Sequence, residues 1–384
     1  MKTVKLYDID SHQFEFTATV IDCTEAADGY SIILDRTAFF PEGGGQKADT
    51  GFIGEARVTD VQIKDKVIFH TAASPAAVGS EVACRIDGEQ RFRRMQNHSG
   101  EHIFSGIAHT LYGCENIGFH MADETAIDFD RELNEEQIRK IETLANEAVC
   151  KNLKITAEYP EEEVLKNLEY RSKLELTENV RIVTIEGIDV CACCAPHVNR
   201  TGEIGIIKIM SFMRHRGGVR IFIKCGYDAF EDFRIKQDNL SRISVALCAR
   251  PYETADIFEK FSNETSELRQ TVTKLKKELA QIKMNRLEAT DGNLLIFEDD
   301  CDMTTLRNIV LDGAKKAGGL CGGFSGSDAG GYIYVISSGH IALRSMAKNI
   351  NAALNGKGGG SDELIQGSCK ATREEIEKYF SEVK

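Results

Sequence analysis

The stretch Asn97-His-Ser-Gly-Glu-His-Ile-Phe-Ser-Gly-Ile-Ala-His-Thr-Leu-Tyr-Gly113 decides how this chain is read. Ile103, Phe104, Ile107, Ala108 and Leu111 recur at helical spacing, and Gly113 supplies a stop. His98 and His102 lie four positions apart, so one helix face presents two imidazoles a turn apart. Some ninety residues later Cys193-Cys-Ala-Pro-His197 repeats the spacing. The strand-like Val183–Val190 precedes this second pair, and Thr201–Ile209 is expected to begin another strand, so the pair falls on a strand-to-strand connection restricted by Pro196. One such pair is common in any chain, whereas two point to a shared ion. Three imidazoles and a thiolate make a borderline-soft set that suits zinc rather than calcium or magnesium. The expected ligands of a Zn2+ ion are therefore His98, His102, Cys193 and His197. Cys191 and Cys194 are rival thiols nearby, and any one of the three also reads as a small buried apolar residue.

Outward from this helix the chain divides into four segments, giving an α+β multidomain fold. Residues 1–85 show short alternating runs (Phe14–Ile21, Tyr30–Leu34, Val67–Thr71) between Gly and Asp turns, the pattern of a small β-barrel. Residues 86–232 mix helical patterns (102–113, 134–152, 160–168) with strands (180–190, 204–212, 219–224) and hold all four ligands. Residues 233–290 read as a helical linker, in which Phe261, Thr265, Leu268, Val272, Leu275, Leu279 and Ile282 form a heptad seam. Residues 291–384 read as a compact α/β domain, with a helical pattern from Ile341 to Leu354 followed by a Gly-rich loop, Gly356-Lys-Gly-Gly-Gly-Ser361.

Composition narrows the function classes. Twelve cysteines include an adjacent pair and a C-x-C, which is poor disulfide geometry and fits a reducing compartment. Met1-Lys-Thr-Val-Lys-Leu-Tyr-Asp-Ile-Asp10 lacks the apolar run of a signal peptide, and no stretch approaches the ~20 apolar residues that span a bilayer. A soluble, cytoplasmic protein with no membrane contact is expected. A net charge of −13 argues against indiscriminate nucleic-acid binding, but three basic runs stand out: Arg91, Arg93 and Arg94; Arg214, His215, Arg216 and Arg220; and Lys274, Lys276, Lys277, Lys283 and Arg286. The first two flank the metal pairs and could steer an anionic substrate there.

A second string, Asp35-Arg-Thr-Ala-Phe-Phe-Pro-Glu-Gly-Gly-Gly-Gln-Lys-Ala-Asp-Thr-Gly51, reads as a wall of the site framed by Thr37, Pro41 and Gln46. Gly43, Gly44 and Gly45 let the backbone approach a ligand without Cβ interference, although three glycines alone also describe a tight hairpin turn. No Gly-Lys-Ser/Thr follows, so a P-loop is not indicated.

Taken in order, Thr-x-Phe-Phe-Pro-Glu-Gly-Gly-Gly-Gln, His-x-x-x-His, and Cys-x-x-x-His followed by Val-x-x-Thr-Gly-Glu-Ile-Gly resemble the editing region of alanyl-tRNA synthetase. They resemble still more the free-standing alanyl-tRNA editing proteins of the AlaX type. Gly118-Phe-His120, Asp128-Phe-Asp130, Tyr170-Arg-Ser-Lys173 and Arg220–Gly226 agree. The run Gly358–Gly367 is similar to the DHHA1 domain that ends the synthetases, so the match is to the long form. The family's Cys-Gly-Gly-Thr-His stands here as Cys193-Cys-Ala-Pro-His197, which removes glycines from the connection but keeps the ligand spacing.

The resemblance implies hydrolysis of Ser-tRNA(Ala), with Gly-tRNA(Ala) as a further candidate substrate, in trans. An alanine pocket cannot strongly reject a residue smaller by one methyl or larger by one hydroxyl. With no aminoacylation domain ahead of the barrel, the expected substrate is tRNA already charged. The implied catalytic set is Thr37, aligned with a family threonine that recognises the serine hydroxyl, with Gln46 and Glu101. Gly43, Gly44, Gly45, Arg94, Arg220, Gly358, Gly359 and Gly360 are the implied substrate or tRNA contacts, and a homodimer is expected through the C-terminal region. Glu101 is not placed as in HExxH, so it also reads as a surface carboxylate, and His120 also reads as a core histidine. Two other classes compete: a zinc-dependent peptidase or amidase, and a tRNA-binding module whose zinc is structural.

Overall fold

The computed structural model describes residues 2–121, 124–172, 180–286 and 288–383, without the side chains of 283 and 284. Lys173 and the side chain of Lys283 lie outside the described residues. The chain divides into two compact units, Met1–Arg242 and Ile243–Lys384.

The first unit opens with β1 (Val4–Lys5), then β2 (Glu15–Ala26) and β3 (Gly29–Leu34). β4 (Arg36–Thr37) returns to pair in parallel with β1. With β5 (Gly51–Ile53), β6 (Ala56–Lys64), β7 (Val67–Ala72) and β8 (Glu81–Ile86), the longer strands close a barrel in the order β2-β3-β7-β6-β5-β8. Alternation explains it: in β2, Phe16, Ala18 and Val20 point inward while Glu15 and Thr17 face water. Phe39 and Phe40, from the loop after β4, join the barrel core.

α1 (Gly88–Tyr112) begins well before the periodic apolar residues and ends at Gly113, whose φ of 62° caps it in the left-handed region. From Met95 to Ala108 every residue is buried, so this helix is central rather than amphipathic. Two of its glycines permit that. A Cβ on Gly100 would stand 2.3 Å from Cys225 Sγ, and one on Gly106 would stand 2.6 Å from the Ile188 carbonyl oxygen.

Around α1 stand two sheets. β9 (Asn116–Met121), β10 (Thr125–Phe129), β14 (Ile207–His215) and β15 (Gly218–Cys225) form one, in the order β14-β15-β10-β9. β11 (Ile155–Glu158), β12 (Ile182–Ile185) and β13 (Asp189–Ala192) form the other. α2 (Glu135–Cys150) and α3 (Glu162–Asn167) precede β12. The expected strand 180–190 is thus two strands joined by a turn at Gly187, whose φ is 70°. Thr201–Ile204 is a 3-10 turn rather than the start of a strand, and Thr201 explains it: its hydroxyl donates to the Ala148 carbonyl (2.7 Å) and so ties the segment to α2.

Residues 233–290, read from the sequence as a helical linker, fall on α4 (Gly226–Ala246) and α5 (Thr254–Arg286), broken between them at Pro251, which lacks the amide a continuous helix needs. In the second unit β16 (Leu294–Glu298), β17 (Cys321–Ser327), β18 (Gly331–Ser337), β19 (Gly356–Gly360) and β20 (Leu364–Cys369) make one sheet, ordered β16-β17-β18-β20-β19. α6 (Met303–Ala314), α7 (Ala347–Ala353) and α8 (Arg373–Glu382) complete the unit. The expected Gly-rich loop is the edge strand β19, paired antiparallel with β20. Glycine is required at Gly358 because a Cβ there would meet the Tyr334 hydroxyl at 2.4 Å.

Candidate metal centre

His98, His102, Cys193 and His197 converge, their donor atoms all within 4.8 Å of one another. α1 supplies the first two, and the segment leaving β13 supplies the others. Cys193 Sγ lies 3.6 Å from His98 Nε2 and 3.4 Å from His197 Nε2.

The imidazoles are held from behind. His102 Nδ1–H donates to Asp189 Oδ2 (3.0 Å), His98 Nδ1–H donates to Gln46 Oε1 (2.9 Å), and His197 Nδ1 faces Ser99 Oγ (3.1 Å). Each ring is thereby oriented by its outer nitrogen, as metal-bound histidines generally are. Asp189 is itself fixed by Arg171, whose Nε and Nη2 donate to its two oxygens at 2.7 and 2.8 Å. Burial resists a thiolate at Cys193, yet His98 and His197 outweigh it and hold the thiol well below the ordinary cysteine value. Burial pushes the His197 imidazole down to about 3, whereas His102, although burial pulls it down too, is held well above its ordinary value by Cys191, Asp189 and Cys193. Three imidazoles with their outer nitrogens engaged and one thiol, with donor atoms within 4.8 Å of one another, are a donor set that fits a zinc ion.

The glycine string lies against this cluster and is also a turn: Gly43 and Gln46 exchange backbone hydrogen bonds at 3.0 and 3.1 Å. Gly44 and Gly45 have φ of 61° and 81°, and a Cβ on Gly45 would stand 2.5 Å from the Phe119 carbonyl oxygen. Gln46 is 1% exposed, and its Nε2 has no hydrogen-bond partner among the described residues. Phe119 packs its ring 4.7 Å from that of His98.

Thr37 is fully buried. Its hydroxyl lies 2.9 Å from His70 Nε2, and it accepts from the Phe39 amide (3.1 Å). His70 Nδ1 faces the Ile32 carbonyl, which can only accept, so Nε2 is the acceptor and Thr37 donates to it.

Glu101 is not a surface carboxylate. It is 4% exposed, accepts from Ser105 Oγ (2.6 Å) and Asn116 Nδ2, and lies 3.9 Å from His102 Nε2. Full burial of α1 puts every azimuth of the helix in the interior, which a two-sided helix reading misses. His120, by contrast, is exposed on the outer face of its sheet rather than in a core.

The arginines are mostly committed internally. Arg91 is fully buried, ion-paired to Asp49 and donating to the carbonyls of Ser11 and Ala38. Arg93 pairs with Glu89, Asp228 and Glu231. Arg94 donates to the Ala48 carbonyl (2.6 Å), and Arg220 forms a two-point pair with Asp128. The residues sequence reasoning missed are the orienting ones: Asp189, Ser99, Arg171 and Arg181. Arg181 Nη1 donates to the carbonyls of Cys193 (3.1 Å) and Ala195 (2.8 Å) and so shapes the connection that lacks the family's glycines. Among the described residues no helix is long and apolar enough to cross a membrane.

Residues 180–221 match the family model of the threonyl and alanyl tRNA synthetase second additional domain, and residues 8–90 match that of the class II (A) tRNA synthetases. The alanyl-tRNA editing protein AlaX-L of Pyrococcus horikoshii is 29% identical over 97% of this chain and 96% of its own. The alanine–tRNA ligase of Pyrococcus abyssi is 32% identical over 100% of this chain and 44% of its own, and that of Methanopyrus kandleri is 32% identical over 94% and 42%. The chain thus spans less than half the length of these ligases. The C-Ala domain from Aquifex aeolicus alanyl-tRNA synthetase covers 25% of this chain, at 20% identity and a TM-score of 0.21, too slight a likeness to carry an argument. On sequence, the chain is similar along nearly its whole length to the alanyl-tRNA editing protein AlaX-L and to the matching stretch of alanyl-tRNA synthetases.

Proposed function

We propose that this protein deacylates mischarged Ser-tRNA(Ala), and Gly-tRNA(Ala) more weakly, in trans. The observation that carries the reading is the buried amide of Gln46, with Oε1 on His98 and Nε2 without a partner among the described residues, where it closes a glycine turn beside a set of residues that fits zinc. An editing protein similar along almost the whole chain supports it.

A zinc ion held by His98, His102, Cys193 and His197 would supply a fixed positive charge toward the aminoacyl group. Gln46 Nε2 donates to the ester carbonyl oxygen. Glu101, oriented by Ser105 and Asn116, accepts the proton of the attacking water as oxygen bonds to the ester carbon. The bond to the ribose oxygen then breaks, that oxygen takes the proton, and free amino acid and tRNA leave. Thr37 donates to His70 and accepts from Phe39, so one lone pair remains for the hydroxyl of a seryl group. This contact favours the seryl ester over the alanyl one and contributes nothing to the glycyl one.

Four protein donors form a closed set, and closed sets are usually structural. That favours a second reading, a tRNA-binding module in which zinc only holds the fold. Purified protein incubated with Ser-tRNA(Ala) and Ala-tRNA(Ala) separates them. Hydrolysis of the first with sparing of the second is expected, and binding without hydrolysis of either would favour the module. The DHHA1-like unit and the lysines of α5 are assigned to docking the tRNA body, and the seam on α5 to a homodimer. Phe261, Leu268, Val272, Leu275, Leu279 and Ile282 of that seam are each at least half exposed.

A further inference from the structure

Tyr159 stands at the end of the three-stranded sheet that delivers Cys193. Glu158 pairs with Ile182, and Ile182 pairs with Ala192, so the next rung carries Tyr159, Arg181 and Cys193. The Cys193 amide donates to the Arg181 carbonyl (3.0 Å), which shows that pairing continues on that rung. Pro160 follows Tyr159 and biases it to the extended backbone the rung needs. Strands in a sheet lie roughly 4.8 Å apart, so Tyr159 is about 10 Å from the Cys193 backbone and on the same side of the sheet.

The ring is half exposed, 50% by area, and is not stacked on another aromatic ring among the described residues. Its position is nevertheless set. The hydroxyl donates to Asp8 Oδ2 (2.9 Å), Asp8 Oδ1 lies 3.4 Å from Arg181 Nε, and Arg181 Nη1 holds the Cys193 carbonyl. A chain of three polar contacts thus ties an open aromatic face to the backbone of a zinc ligand. Nearby, Lys5 places its ammonium 5.9 Å from the ring of Tyr7, next to Asp8.

We propose that Tyr159 is the platform on which the 3′-terminal nucleobase of the aminoacyl-tRNA stacks. The inference rests on the deacylase reading, because it uses the connectivity of that substrate. The scissile ester joins the amino acid to the terminal ribose, so with the ester at the zinc cluster the attached base falls within about 10 Å of it. An oriented aromatic face at that distance is the surface such a base needs, and stacking suits the adenosine common to every tRNA 3′ end. Tyr159 is a binding residue and touches no reacting atom.

Two measurements on the full-length, zinc-loaded protein test it. In deacylation of Ser-tRNA(Ala), Tyr159→Ala should raise KM about tenfold with little change in kcat and unchanged zinc content, and Tyr159→Phe should stay within about twofold of wild type. In binding of uncharged tRNA whose terminal adenine is replaced by 2-aminopurine, wild type and Tyr159→Phe should quench the fluorescence, and Tyr159→Ala should not. An unchanged KM in Tyr159→Ala overturns the proposal. So does equal loss in the Phe and Ala variants, since the bond to Asp8 rather than the ring would then carry the effect. The quenching measurement needs no hydrolysis, so absence of deacylase activity in wild type would sink the functional reading and leave the stacking question answered separately.

Discussion

Cys193 is the residue on which the cluster turns, since its sulfur faces His98 and His197 and, among the described residues, no other thiol joins His98, His102 and His197. Cys193→Ala should reduce bound zinc from one ion per chain toward none and abolish deacylation, read by metal analysis alongside a Ser-tRNA(Ala) assay. Full activity in a metal-free preparation would rule out this arrangement. Thr37 carries a different expectation. Thr37→Val removes the donor to His70 and leaves a buried nitrogen unsatisfied, costing about 1–3 kcal/mol in denaturant unfolding. It should also slow Ser-tRNA hydrolysis about fivefold while touching glycine release less, and equal loss on both substrates would mark the residue as purely structural. His70 adds a pH signature. Burial lowers its pKa to about 4 from an ordinary value of 6.5, so the unfolded chain takes up a proton that the folded chain refuses. Its contribution is present above pH 6.5 and is lost as pH falls from there toward 4, and His70→Gln should flatten that part of the stability–pH curve.

At the scale of elements, the loop between β4 and β5 is fastened to α1 by a buried arginine. Asp49 accepts from Arg91 and from the Phe40 amide, while Arg94 reaches the Ala48 carbonyl. Asp49→Asn leaves the Arg91 guanidinium buried without its counter-charge, at a cost of about 3–5 kcal/mol. Because the same loop carries Gln46, zinc affinity should fall with stability. A variant as stable as wild type would contradict the buried pairing. This element also shows what the sequence could and could not convey. The ligand spacing, the start of the barrel and the stop at Gly113 follow from local rules of period and turn chemistry. The role of Arg91 does not, because a basic triplet looks the same whether its partners are water, tRNA or Asp49, and only the tertiary fold brings Asp49 to it. Glu101 was ambiguous for a related reason: helical period tells which residues share a face, not how many faces are covered. Asp189 was hidden in an ordinary strand-like run, since nothing in Gly-Ile-Asp-Val marks the histidine it will orient.

At the scale of the molecule, the seam on α5 is exposed along its length. Burying such a stripe against a second copy is the expected remedy, with Leu268 at 65% and Leu275 at 56% exposure among its central positions. Leu268→Lys with Leu275→Lys should convert a dimer to a monomer in sedimentation velocity at micromolar concentration, with zinc content unchanged. A wild-type chain that sediments as a monomer would refute the dimer. The proposed zinc ligands are split across 95 positions of sequence, His98 on one side and Cys193 on the other. As the chain leaves the ribosome, its first two imidazoles therefore emerge long before their sulfur partner. A nascent chain would then hold half of the chelate open until about two hundred residues are out, so a metal would be captured only after the second pair has emerged.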